Sequence, residues 1–307
     1  MANTSTAGQA DQKAGPGRRR RSLLLWSAYI VGLASILFLL ADGLSFYTTP
    51  YAERLHHPDY RLLRPAGSRG LLCGMVGTAM MVLMLIYSLR KRTRLLGRSS
   101  SLRPFLDFHI YLGVMGPLFI VLHTSFKVQG LVAVSFWSMV AVALSGFFGR
   151  YLYLQIPRNI QGNELTLQEI GRLSEERAQD LREKFELDET TMGRLESAAR
   201  NFGTHYQGGV GRALFLLARD DLFRFRVKRR YQRQLMQAVR LPHSQLAEFL
   251  GVSFERALLE KRIALLDRVQ QLFHYWHVIH KPIAIIMYII VGIHVGVALW
   301  TGYGWFG

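Results

Sequence analysis

The chain has 307 residues, half of them hydrophobic, with 38 Lys and Arg against 21 Asp and Glu and a single cysteine. That cysteine, Cys73, lies inside an apolar run, which excludes a disulfide framework, a Cys-ligated iron–sulfur cluster and a structural Cys-zinc site. Residues 157–271 hold 20 basic and 16 acidic side chains, so most of the basic excess sits in the N-terminal tail, short loops and helix ends. That is the distribution of a positive-inside membrane protein rather than of a nucleic-acid groove.

In chain order, residues 1–22 read as a disordered basic tail, polar and rich in Gly and Ala before Arg18–Arg21. The apolar stretch Leu23–Leu40 is longer than a signal-peptide core and no clear small-residue cleavage site follows, so it reads as an uncleaved first membrane span. Residues 42–70 read as a polar loop with three prolines. A second span is expected over about 71–89, a third over 105–126, a fourth over 131–154 and a fifth over 273–301. Thirteen Lys and Arg flank one side of these spans (Lys13, Arg18–Arg21, the 90–103 loop, Arg150 and Lys281) and five flank the other. The expectation is therefore a cytoplasmic N-terminus, an outer C-terminus and a bacterial inner-membrane location.

Residues 156–271 read as a cytoplasmic helical insertion between the membrane segments 23–155 and 272–307. A charged amphipathic stretch opens at Leu165-Thr166-Leu167-Gln168, and apolar periodicity resumes over 213–235 and 245–272 after a Gly-rich break. Gly208-Gly209-Val210-Gly211 lacks a preceding strand and a following Lys-Ser/Thr, so it reads as a turn and not as a phosphate loop. The basic run from Arg224 to Arg233 is either a solvated or membrane-surface face or a docking face for an acidic partner. The fold class expected is an all-α integral membrane protein of five transmembrane helices, four of them forming a bundle.

Six of the ten histidines lie in or beside the spans: His109 and His123 on the third, His274, His277, His280 and His294 on the fifth. Ionisable side chains at membrane depth are costly and mark functional sites. His109 and His123 are 14 residues apart, and so are His280 and His294. Fourteen helical residues turn about 1,400°, so each pair shares one helix face, its members about 21 Å apart along the axis. Two such helices running parallel present imidazoles at two matched depths, where they can hold two flat macrocycles edge-on by bis-histidine ligation. His277 is 17 residues from His294, off the shared face, and stands as the alternative to His280; otherwise His274 and His277 are expected at the cytoplasmic interface near haem propionates. Gly116 lies midway between His109 and His123, and Gly113 one turn from His109, where a missing side chain admits either a macrocycle edge or a neighbouring helix.

Two helices each carrying His-x13-His resemble the haem-bearing core of the b-type cytochromes, a group that includes respiratory cytochrome b and the ferric reductase and NADPH oxidase membrane domains, and the equal spacings look closest to respiratory cytochrome b. The resemblance covers 71–155 and 273–301, a little over a third of the chain. It implies two non-covalent haem b groups, His109 with His280 at the inner iron and His123 with His294 at the outer one, with Arg103, Arg150 and Lys281 as propionate partners. It also implies an electron-transfer subunit of a larger oxidoreductase or quinone-linked complex. Its redox partner would carry flavin, iron–sulfur or nicotinamide chemistry, with a second donor or acceptor at the outer face. The chain departs from the family in lacking a Pro-Glu-Trp-Tyr motif and a flavin or nicotinamide domain, and in its long insertion. The competing expectation is a transporter or scaffold whose histidines relay protons or pack.

Overall fold

The computed structural model describes residues 16–92, 103–157, 165–204, 209–238 and 243–302. Residues 1–15 of the expected tail of 1–22, most of the basic 90–103 loop, His205, Gly208 and the side chain of Arg103 lie outside the described residues; residues 16–22, expected as disordered tail, are instead the start of the first helix. Those described are helical without a strand, and five helices are long and apolar enough to cross a bilayer. The chain is thus an all-α membrane protein. The physical cause is that a backbone in hydrocarbon must satisfy every N–H and C=O internally, which a helix does within one segment.

The chain divides into two compact units, Met1–Gly146 with Pro282–Gly307, and Phe147–Lys281. The first begins with α1 (Pro16–Asp42) and continues through three short pieces: α2 (Leu44–Thr48), a 3₁₀ turn at Arg54–His56, and α3 (Tyr60–Leu63). The span helices α4 (Ser68–Arg92), α5 (Arg103–His123) and α6 (Leu131–Gln155) follow, the last of them belonging to the second unit from Phe147 on. Helix α5 packs closely on α4 and more lightly on α1. The close approach is made by glycines: a Cβ on Gly77 would lie 2.8 Å from Ile120 and 2.9 Å from the Gly116 carbonyl oxygen. Without a hydrophobic drive between helices in lipid, such backbone contact is a main source of association. Met81, Met139 and Met287 meet in a buried cluster between α4, α6 and the last helix. Two hydrogen bonds stitch that cluster: Tyr288 donates to the Met81 carbonyl (2.7 Å) and Ser135 to the Met287 carbonyl (3.2 Å).

The 42–70 segment is an ordered clasp rather than a plain loop. The Arg54 guanidinium donates to the carbonyls of Thr49 (2.9 Å), Ser125 (2.7 Å) and Tyr47 (2.7 Å) and lies over the Phe46 ring. Ser125 and Phe126, just past α5, both take left-handed backbone angles (φ 49° and 62°), an uncommon conformation for residues with a Cβ. Ser125 also donates to the Leu63 carbonyl (2.5 Å), so the reversal after His123 is held to the clasp by both its backbone and its side chain.

The second unit contains α7 (Leu167–Lys184), α8 (Glu189–Thr204), α9 (Val210–Leu222), α10 (Arg224–Ala238) and the first part of α11 (His243–Trp300). Thr166 and Glu169 cap α7 reciprocally, each side chain accepting from the other's backbone N–H. One cluster joins the end of α7 to α8, α10 and α11 around Phe249; another joins Leu152 and Ile156 to α7, α9 and α11 around Ile170 and Leu217. Burial in the first cluster pushes the Tyr231 phenol up to about 12.

Two further sequence boundaries differ from the structure. The expected stretch from 245 to 272 and the fifth span are one 58-residue helix, because no glycine or proline interrupts 252–281 and entry into lipid needs no break. Pro282 lies inside it, tolerated as prolines are in membrane helices. The single charged stretch expected from 165 to 200 is two helices, divided where Glu186 adopts a left-handed φ of 47°.

Candidate cofactor site

His109 and His123 are held from α4. The Nδ1 atom of His109 lies 3.1 Å from the Met84 carbonyl oxygen, and that of His123 lies 2.8 Å from the Gly70 carbonyl oxygen. A carbonyl only accepts, so Nδ1 carries the hydrogen and donates in each ring, and Nε2 keeps its lone pair. Met84 and Gly70 are themselves 14 residues apart, so antiparallel α4 supplies an orienting carbonyl at each of the two depths. The His109 ring also lies beside Tyr87, centroid to centroid 5.1 Å. The His123 ring rests on bare α4 backbone at Gly74, where a Cβ would stand 2.6 Å from its Nδ1.

The remaining expected residues are distributed between the units. His294, on the first unit's part of α11, is exposed and stands within electrostatic reach of His123. His280 belongs to the second unit, its ring 4.7 Å from that of Trp276. His277 donates from Nδ1 to the Phe273 carbonyl (2.8 Å) and sits between Phe273 and Trp276, at 4.5 and 4.6 Å. It therefore takes the same Nδ1–H tautomer as His109 and His123. His274 and Lys281 are exposed, and the Arg150 guanidinium lies over the Tyr153 ring at 5.4 Å. Gly116 faces α4, where a Cβ would meet Met81 at 3.2 Å and the Gly77 oxygen at 3.3 Å; one on Gly113 would meet the Met84 sulfur at 3.2 Å.

Sequence reading missed the α4 side of the site. Gly70, Gly74 and Gly77 recur at helical spacing and are the signal that a close neighbour lies on that face. Arg90 was read as a loop charge; it is buried, 8% exposed, with its guanidinium 5.8 Å from the Phe105 ring centroid. Trp276 was also missed, and its indole lies against the backbone of Gly149.

The donor set suits haem iron, which takes neutral imidazole Nε2 with Nδ1–H bonded to a carbonyl. Among the described residues no three His, Cys, Asp or Glu side chains converge as a metal-binding group, but a bis-histidine haem asks for only two protein ligands per iron. The chain matches no protein-family model, no curated protein and no solved structure.

Proposed function

We propose that the protein is a membrane b-type cytochrome that carries electrons across the bilayer through two bis-histidine haems, as a subunit of a larger oxidoreductase or quinone-linked complex. The observation that carries this reading is the pair of Nδ1 hydrogen bonds from His109 and His123 to carbonyls 14 residues apart on α4. A histidine serving only to join two helices needs no such repeat. The repeat leaves two equivalent Nε2 lone pairs about 21 Å apart along one helix face.

When bound, haem supplies the one-electron chemistry, and the protein supplies position and environment. His109 and His123 would be one ligand of each pair, fixed in ring orientation and made more basic by the carbonyl that each faces. His294 would be the partner of His123, and His280 that of His109; His277, with the same tautomer, is the alternative inner ligand. Arg103, Arg150 and Lys281 would face propionates near the cytoplasmic boundary, and buried Arg90 adds a fourth cation of that kind. The methionine cluster and the Arg54 clasp would keep water from between the helices. The donor would be a cytoplasmic or membrane protein with flavin, iron–sulfur or nicotinamide chemistry, and the other electron partner would act at the outer face.

A pyridine haemochrome assay on the purified chain, with a reduced-minus-oxidised spectrum, tests this. Two haem b per polypeptide and a b-type α band are expected. A colourless protein overturns the cytochrome reading and leaves a non-redox membrane protein; one haem per chain breaks the paired-ligand argument.

A further inference from the structure

Helix α9 has two apolar faces and only one of them is packed. Leu216 and Leu217 are buried in the second unit's core, whereas Phe215 and Leu222 are 66% and 78% exposed. Phe215 and Leu222 are seven residues apart, with exposed Ala218 between them, so they form one stripe. The stripe continues round the corner into α10, where Phe223 is 41% and Phe225 78% exposed. Exposed apolar patches of this kind mark interaction surfaces.

The depth of this corner is set by its neighbour in sequence. The Asp221 carboxylate accepts from Tyr151 Oη (3.0 Å) and from Gln155 Nε2 (2.7 Å). Both donors lie in the last turns of the membrane span Leu131–Gln155. A helix of that length, about 37 Å, outruns a hydrocarbon core of roughly 30 Å, so its end stands among headgroups. Asp221 is therefore tied at headgroup level, and Leu222 is the next residue.

The charge of the corner is of one sign. Residues 209–238 carry eight Lys and Arg against two acids, Asp220 and Asp221. Asp220 is buried and paired with Arg219, and Asp221 is engaged with the span. The guanidinium of Arg226 lies over the Phe223 ring (5.0 Å) and that of Arg229 over Phe225 (5.9 Å), so cation and apolar surface are presented together. An acidic protein partner would meet the charge, but its placement at headgroup depth with large apolar side chains outward fits lipid.

We infer that α9 and the α9–α10 corner are an interfacial anchor: Phe215, Leu222 and Phe225 enter the acyl boundary while the flanking arginines and lysines bind anionic headgroups. This rests on the membrane topology alone and not on haem.

The test uses the full chain with Cys73→Ala, which removes the native thiol, and a nitroxide on Leu222→Cys or, separately, on Phe225→Cys; Ser197→Cys, exposed on α8, is the water control. In nanodiscs of phosphatidylcholine with about 30% phosphatidylglycerol, both corner labels should collide with oxygen at least several-fold more than with a water-soluble nickel chelate, unlike the control. In pure phosphatidylcholine they should sit shallower. Corner labels that report water in both lipids, or equal depth in both, overturn the inference. So does spin–spin broadening that appears only when two chains share a disc, because a second copy would then be the occupant.

Discussion

Replacing Gly74 with alanine probes the site where it is most tightly determined. The new Cβ would lie 2.6 Å from His123 Nδ1 and 2.9 Å from its Cγ and Cε1. Ordinary contact begins near 3.5 Å, so the ring or the α4 backbone must move by about 1 Å. Either movement lengthens the 2.8 Å bond from His123 to the Gly70 carbonyl. Overpacking costs about 1–3 kcal/mol and the loss of a buried hydrogen bond about 1 kcal/mol, giving on the order of 2–4 kcal/mol for the two together. If His123 holds an iron, the change should remove one haem or shift one midpoint potential while the other is unaffected. Gly146→Ala is the control, since nothing lies within 4 Å of a Cβ there. Haem per chain and a redox titration on the membrane-inserted fraction read the outcome. Two haems with unchanged potentials in Gly74→Ala would refute the placement of His123 as a ligand, whatever happened to thermal stability.

Alanine at His109 or His280 should remove the inner haem and alanine at His123 or His294 the outer one, with both retained in His274→Ala and His277→Ala. Loss in His277→Ala with retention in His280→Ala would reassign the inner ligand. Arg54→Ala deletes three carbonyl-directed donors and two aromatic contacts, with Phe46 and Tyr51; hydrogen exchange at 44–64 and 124–127 should rise at least tenfold, by about 1.4 kcal/mol or more. Acid should loosen the start of α8. The Thr190 and Thr191 hydroxyls hold the Asp188 carboxyl down to about 2, below its ordinary value of 3.8. Its contribution is complete above the ordinary value and lost as pH falls through 2, so Asp188→Ala should accelerate exchange in α8 at pH 6 and have little effect near pH 2.

The sequence alone determines the five spans, because a run of about 20 apolar residues is itself the cause of a membrane helix and needs no distant partner. The shared face of His109 and His123 is likewise a local property, following from 3.6 residues per turn. What neighbours that face is not local. Gly116 was equally readable as a seat for a macrocycle or for a helix, and its contacts with Gly77 and Met81 follow from how α4 meets α5. The Nδ1 hydrogen bonds to Met84 and Gly70, the clasp of Arg54 on Ser125 and the anchoring of Asp221 by Tyr151 and Gln155 join residues 25, 53, 71, 70 and 66 positions apart. Each joins a side chain to a group on a distant segment, so no periodicity or spacing announces it. Only helix packing brings the partners within the 3 Å or so at which a hydrogen bond forms.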